Sequence, residues 1–159
     1  MNPYADKLGG RDAVAVLGDT PERIGQLVER MRGNDFARAY APGKWNACQL
    51  LTHLAQAEMA FGMRVRLALT TDNYVVQPFD GDRWISREPI ANGLEAFKAY
   101  YAMRQWNLPL FRSLTAEDRA RTFTHPERGQ LTIGAILEML AGHELHHLEH
   151  LQQSVGQSG

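Results

Sequence analysis

The stretch Gly142-His143-Glu144-Leu145-His146-His147-Leu148-Glu149-His150 holds four of the six histidines in the chain. It lies in a segment, residues 133 to about 153, whose isoleucines and leucines recur at helical spacing. Residues four apart on a helix share one face, so His143 pairs with His147, and His146 pairs with His150. Two imidazoles at this spacing can bind one divalent metal ion, since imidazole is a usual ligand for zinc, nickel, copper and iron. The stretch therefore predicts a helix that carries two metal ligands.

The phase of each histidine on its helix separates the candidate ligands from the solvated residues. Each residue advances by about 100° around a helix, which places His147 about 50° and His143 about 90° from the centre of the apolar stripe. His150 lies farther round, and His146 lies nearly opposite the stripe, so both are expected on the solvated face. His53 flanks the stripe of another predicted helix and is the candidate third ligand. The alternative is that these flank histidines are half-exposed surface residues.

Helical periodicity extends over most of the chain. Thr20-Pro21 resembles an N-cap followed by proline at the first helical position, and a shorter helix is predicted over residues 13 to 17. We find no convincing strand, and the Pro- and Gly-punctuated loop Thr71–Pro89 is long enough to suggest a functional element. Pro109 should kink its helix or mark an early end. The fold class predicted is all-α, a four-helix bundle. Its long helices are expected at Thr20–Gly33, Asn46–Thr70, Asn92–Ser113 and Ile133–Gln153.

The composition is that of a globular protein and gives no sign of binding to nucleic acid or to a membrane. The length of 159 residues suggests a single domain, 1–159, and 44% of the residues are hydrophobic. A net charge of -1 gives no electrostatic reason to expect binding to nucleic acid or to a membrane, and no apolar run is long enough to span one. The N-terminus lacks the apolar core of a signal peptide, and the one cysteine, Cys48, is compatible with a reducing environment. These features predict a cytoplasmic protein.

Two acidic residues fall within apolar stripes and must be paired or hydrogen-bonded if they are buried. For Glu58 we favour a structural ion pair, with Arg64 or Arg104 as the partner. Glu144 could make a similar pair, orient a ligand histidine or act as a further ligand.

Other polar and aromatic residues carry weaker expectations. Cys48 points away from its stripe and is expected to be neither ligand nor nucleophile. His125 precedes a proline and is expected to be a turn residue. The tryptophans are expected to be packing residues, and two aspartates with Trp84 are candidate pocket residues of the long loop. The residues concerned are Trp45, Trp84 and Trp106, and Asp80 and Asp82.

Two groups of residues resemble a known family, the DinB-like (damage-inducible) proteins. The run Lys44-Trp45-Asn46, Gln49-Leu50-Leu51-Thr52-His53-Leu54 and Glu58 is similar to the second helix of that family. The run Gly129-Gln130-Leu131-Thr132-Ile133, followed by His143-Glu144-Leu145-His146-His147-Leu148, is similar to its fourth helix. Asn2-Pro3-Tyr4-Ala5 and Thr20-Pro21 also fit one branch, so the resemblance spans nearly the whole chain.

The resemblance implies an up-down-down-up four-helix bundle, often dimeric, with a divalent metal held by three histidines. The matching positions are His53, His143 and His147, the same three that helical phase selects. Zinc or nickel is the favoured metal, and iron or manganese is compatible with the same ligands. In some relatives a glutamate replaces one histidine, so Glu144 remains a candidate metal ligand.

The resemblance also implies a choice of functions. The first hypothesis is a metal-dependent enzyme, a thiol S-transferase or hydrolase acting on a small molecule, with a low-molecular-weight thiol as a candidate substrate. The alternative is a non-catalytic, metal-binding, dimeric stress-response protein. A plain helical bundle with incidental histidines is the third hypothesis.

Overall fold

The computed structural model describes residues 2–89 and 92–155. Residues 1, 90, 91 and 156–159 of the predicted domain lie outside the described residues. In chain order the elements are α1 (Ala5–Leu8), α2 (Ala13–Arg30), a 3-10 helix (Gly33–Ala37), α3 (Ala47–Thr70), α4 (Gly81–Arg87), α5 (Gly93–Ser113), α6 (Ala116–Ala120), β1 (Thr122–His125), β2 (Gly129–Thr132) and α7 (Ile133–Val155).

The four long helices α2, α3, α5 and α7 form a four-helix bundle, as predicted. α3 and α5 are parallel neighbours, because Glu58 contacts Arg104 and Gly62, one turn later, contacts Asn107. α2 is antiparallel to α5 and parallel to α7, and α7 is antiparallel to α3. The directions are therefore up, down, down and up. Within the described residues, no helix is both long and apolar enough to cross a membrane.

The core consists of two apolar clusters, one towards each end of the bundle, separated by a buried polar layer. Arg104 is fully buried at the centre of this layer and forms ion pairs with Glu58, at 2.6 Å, and with Glu144, at 2.8 Å. Hydroxyl and amide groups donate the remaining hydrogen bonds to the two carboxylates. The polar layer comprises Thr20, Glu58, Tyr100, Arg104, Asn107 and Glu144.

Helix α2 begins earlier than the sequence predicts. The expected start at Thr20-Pro21 is wrong, since the helix is continuous from Ala13 and is capped by Asp12, whose Oδ1 accepts a hydrogen bond from the Ala15 N–H at 2.7 Å. Proline has no N–H for the carbonyl four residues back, here that of Leu17. The Arg104 guanidinium donates to this carbonyl instead, at 2.7 Å. A tertiary contact therefore allows proline inside the helix.

Residues 122–132 form a hairpin where no strand was expected. β1 and β2 pair antiparallel, and Gly129, at the start of β2, has a φ of +73°, which glycine adopts without strain. The expectation of no strand is therefore wrong. Each strand has only four residues, which is too short to give a clear alternating pattern in the sequence. The hairpin leads directly into α7, where Thr132 Oγ1 accepts from the Ala135 N–H at 3.0 Å and so caps the helix.

Pro109 and Trp106 in α5 both behave differently from what the sequence predicts. The helix continues through Pro109 to Ser113, so the proline does not end it early. Trp106 is not a packing residue: 75% of its surface is exposed, and its ring lies 5.2 Å from the Arg66 guanidinium carbon.

Candidate metal centre

Three histidines from two antiparallel helices meet at the seam between α3 and α7. His53 comes from α3, and His143 and His147 lie one turn apart on α7. The Nε2 atom of His143 lies 2.8 Å from that of His53 and 3.0 Å from that of His147. All three side chains are buried. The structure thus brings together the three residues that helical phase selected.

Aromatic rings and a glycine fix the orientation of the three imidazoles. Phe79 stacks on His53 with ring centroids 5.6 Å apart, and Trp45 stacks on His147 at 6.1 Å. A Cβ added at Gly81 would lie 2.7 Å from the His53 ring, so glycine permits the close approach of the loop to this histidine. The rings are held by packing from outside, which leaves their Nε2 atoms directed at one another.

Hydrogen bonding alone cannot satisfy this arrangement. A neutral imidazole has one N–H and one lone pair, and His143 Nε2 would have to serve two neighbours with a single site. The Nδ1 atoms of all three rings are buried without a hydrogen-bond partner among the described residues. A cation between the Nε2 atoms would use three lone pairs and leave the protons on Nδ1. The donor set therefore fits a divalent metal ion, three neutral imidazoles being a usual ligand set for catalytic zinc.

The electrostatics of the site favour the ligating form of each ring. Burial lowers the pKa of His53 from 6.5 to about 4. Burial, and then the charge of His53, lower the pKa of His143 well below its ordinary value. Burial and the neighbouring histidines do the same to the pKa of His147. All three imidazoles are therefore neutral near pH 7, the state in which nitrogen binds a metal.

A second histidine group lies beside the first and shares one member with it. His146 and His150 are half-buried rather than fully solvated, and with His147 they form another group close enough to share an ion. Tyr40 stacks on His150 with centroids 3.9 Å apart, and Tyr4 lies against His146. The expectation that both residues lie on a fully solvated face is therefore wrong, because the N-terminal segment and Tyr40 partly cover that face.

A cavity of about 510 Å³ opens onto the first histidine group. The segment predicted as a functional loop contains the short helix α4, and its part from Pro78 to Asp82, which includes Asp80 and Asp82, forms part of the cavity wall. Trp84 lies behind this wall, edge-on to Phe79 at 4.8 Å, and supports the ring that stacks on His53. The volume falls in the range typical of small-molecule sites.

The cavity contains two residues whose role the sequence did not indicate. His125 is buried at the end of β1, not a simple turn residue, and burial followed by the charges of Arg64 and Arg128 lowers its pKa. Its Nδ1 accepts a hydrogen bond from the Glu127 N–H at 3.2 Å, which assigns the proton of the neutral ring to Nε2. Arg64 is the second residue. The sequence offers one indication that Arg64 is buried: a charged residue placed among the apolar residues of α3.

The two buried glutamates belong to the polar layer and not to the histidine group. Glu58 forms the predicted structural ion pair, and its partner is Arg104 rather than Arg64. Glu144 is held by Arg104, by the Tyr100 hydroxyl at 2.5 Å and by the Thr20 hydroxyl. Its carboxylate oxygens are therefore engaged away from the three imidazoles, which leaves the histidines as the candidate ligands.

Comparison with known proteins agrees with these features. The family model described as the DinB superfamily matches residues 17–151. A protein of Oceanobacillus iheyensis named "Putative metal-dependent hydrolase" is 32% identical over 139 residues, which is 85% of this chain and 79% of the relative. A protein of Halalkalibacterium halodurans with the same description is 30% identical over 139 residues, covering 85% of this chain and 80% of the relative.

A solved structure shares the architecture over nearly the whole chain. YfiT from Bacillus subtilis, described as "a probable metal-dependent hydrolase with an unusual four-helix bundle topology", has a TM-score of 0.82 at 27% sequence identity. The match covers 92% of this chain and 87% of YfiT. Since the family model covers most of the chain and the bundle has the same topology, the chain belongs to the DinB superfamily.

Proposed function

We propose that this protein binds one divalent metal ion through His53, His143 and His147 and catalyses a metal-dependent hydrolysis, or a related group transfer, on a small molecule. The observation that carries the proposal is the convergence of three neutral, buried Nε2 atoms on the wall of an open cavity. The descriptions of the relatives as metal-dependent hydrolases support the same reading.

A divalent metal in this position would supply Lewis acidity, polarising a substrate oxygen and lowering the pKa of a coordinated water or thiol. The protein contributes the environment for that chemistry. The three histidines provide neutral donors, and their protons remain on Nδ1, away from the reacting groups. Phe79 and Trp45 exclude water from the backs of the rings. The neutral His125 ring on the same cavity wall can donate a hydrogen bond through its Nε2–H to a substrate oxygen.

The cavity favours an enzyme over the alternative of a non-catalytic metal-binding stress protein. A structural metal site is usually closed by four protein ligands, whereas a catalytic site keeps a position for substrate. Here three histidines converge, and the neighbouring carboxylate of Glu144 is already engaged in the polar layer. A closed fourth position would need a ligand that this group of side chains does not offer.

The activity can be tested with matched variants. The protein loaded in turn with zinc, nickel, iron or manganese is assayed on simple esters and on a thiol with an electrophilic acceptor. His147→Ala should lose most of the rate obtained with the best metal, and His146→Ala should retain it. Equal rates for wild type and His147→Ala on every substrate would contradict metal-dependent catalysis of these reactions. The ester and thiol assays also separate hydrolase from thiol S-transferase.

Three finer features remain proposals: a low-molecular-weight thiol as a substrate, a cytoplasmic location and a homodimer. Exposed apolar residues on neighbouring helices support the last of them. Met59 and Met63 lie one turn apart on α3, and Trp106 lies nearby on α5.

A further inference from the structure

Arg64 is a buried cation in the wall of the cavity. It lies on α3 about three turns after His53, and only 7% of its surface is exposed. One guanidinium nitrogen, Nη2, donates to the Gln77 carbonyl at 2.6 Å, and the guanidinium carbon lies 5.2 Å from the centre of the Phe61 ring. The side chain is therefore held in place, but one carbonyl and one ring use only part of its five N–H donors.

No carboxylate compensates the charge of Arg64 within the described residues. The ion pairs of the structure involve other arginines, and the polar layer uses Arg104. Asp80, Asp82 and Glu127 also line the cavity, yet none of them lies within ion-pairing distance of Arg64. An arginine is seldom buried without an anionic partner, since removing its charge from water is unfavourable unless a counter-charge replaces the solvent.

No carboxylate of the described residues is among the groups that shift the pKa of Arg64. Burial lowers the pKa of Arg64, the neighbouring Tyr74 raises it and the charge of Arg128 lowers it again. Arg128 lines the same cavity and also lowers the pKa of His125. Two guanidinium groups therefore line the cavity together with the three histidines, and the carboxylates of Asp80, Asp82 and Glu127 line it as well. An anion that enters the cavity is therefore expected at the buried guanidinium of Arg64, which has no carboxylate partner among the described residues, rather than beside the carboxylates.

We propose that Arg64 is the anion-binding residue of the cavity and recognises a carboxylate or phosphate group of the substrate. Its planar fork can donate two parallel hydrogen bonds to either group. The proposal rests on the proposed function for the metal end of the cavity: the anionic group binds at Arg64, and the group to be cleaved or transferred faces the histidines. The substrate class is therefore a small molecule with an anionic end and a reactive centre a few bonds away.

Anion binding is tested on metal-free protein, so that the probe cannot bind through a metal. Inorganic phosphate and acetate are titrated separately and followed by isothermal titration calorimetry and by the NMR signal of the Arg64 Nε–H, assigned by its disappearance in Arg64→Lys. Arg64→Gln keeps a donor for the Gln77 carbonyl but removes the charge. We expect it to weaken binding of the preferred anion about tenfold or more, given the usual strength of charged hydrogen bonds. The comparison of phosphate with acetate distinguishes the two anionic groups.

Arg66→Gln is the matched control. Arg66 lies on the same helix, half-buried against Asn107 and Trp106 and outside the cavity lining, so its replacement should leave the dissociation constant unchanged. If Arg64→Gln does not fold, Arg64→Lys serves in its place and should bind several-fold more weakly, because it keeps the charge but loses the fork. Unchanged binding in the Arg64 variant, an equal loss in Arg66→Gln, or no binding to the wild type would overturn the proposal.

Elemental analysis of the same variants separates this proposal from that of the metal site. Arg64→Gln should retain the wild-type metal content, because Arg64 is not one of the three histidine ligands. A wild-type protein that binds the anion at Arg64 but takes up no metal would contradict the proposed function and leave the anion site standing. The reverse result would contradict the anion site alone.

Discussion

At the scale of single residues, the position of a histidine around its helix decides whether it can reach a metal. Helical phase places His53, His143 and His147 on the flanks of apolar stripes, and the structure brings the Nε2 atom of His143 to within hydrogen-bonding distance of those of the other two. The sequence could indicate these residues because each phase depends only on local periodicity. It could not indicate that Arg64 and His125 share a cavity with them, since that depends on how the hairpin and the segment after α3 pack against α3.

The first prediction concerns the identity of the ligands. Replacing any one of His53, His143 and His147 by Ala should release most of the bound metal, because two imidazoles bind a divalent ion much more weakly than three. His146→Ala and His150→Ala are the controls and should retain it. Metal content is measured by elemental analysis of untagged protein after gel filtration. If the two controls lose the metal and His143→Ala retains it, the outer histidine group is the site instead.

The second prediction concerns pH and the metal-free protein. The pKa of His53 is about 4 in the fold, below its ordinary 6.5, because of burial. Between these values the unfolded chain binds more protons than the folded chain, so the free energy of unfolding should fall as the pH decreases. Above about pH 6.5 this group should cause no change. Urea denaturation in the presence of a chelator measures the effect, and His53→Gln should reduce the slope. A metal-free protein that gains stability on acidification through this window would contradict the assignment.

At the scale of secondary structure elements, the helices were predictable where their signals are local. Asn46 and Gln49, three residues apart, form a capping box at the start of α3. The prediction that α2 starts at Thr20-Pro21 is wrong, because a residue distant in sequence, Arg104, donates a hydrogen bond to the Leu17 carbonyl that the proline cannot bond. The hairpin was missed because two four-residue strands carry too little alternation to be distinguished from a loop.

The third prediction concerns the polar layer that joins α2, α3, α5 and α7. Replacing Arg104 by Met should destabilise the protein by about 3–5 kcal/mol, because it leaves Glu58 and Glu144 buried without their cation. Burial tends to lower the pKa of Arg104, but the neighbouring carboxylates raise it well above its ordinary value, which is consistent with a permanent charge. Chemical denaturation measures the loss. Lys98→Met, at an exposed position on the same helix, is the control and should change stability little. If Arg104→Met leaves the free energy of unfolding nearly unchanged, the polar layer contributes little to stability.

At the scale of the whole molecule, the fourth prediction is a homodimer. The family resemblance implies one, and Met63, on the exposed side of α3, is 53% accessible. Light scattering at micromolar concentration should give twice the mass of 17.9 kDa. Met63→Glu should shift the mass towards that of the monomer, because it places a charge on the apolar face. Val75→Glu, at a similarly exposed position in the long loop, should leave the dimer intact. A mass near 17.9 kDa for the wild type would contradict the prediction.

The order of the four long helices also affects how the chain can fold. α2 and α3 follow each other in the sequence but lie diagonally across the bundle, as do α5 and α7. α3 and α5 are parallel, so residues 71–89 must return along the bundle before the two helices can pack. The first long helix contacts the last one through Thr20 and Glu144, which are 124 residues apart.

Contacts between such distant residues carry a large loop-closure entropy before they gain any packing energy. The chain should therefore fold more slowly than an up-down-up-down bundle of equal length, in which each helix packs on the one made before it. During synthesis, α2 cannot begin to pack until α5 emerges from the ribosome, and it cannot complete its packing until α7 follows, so part of its apolar face stays exposed to other chains until then.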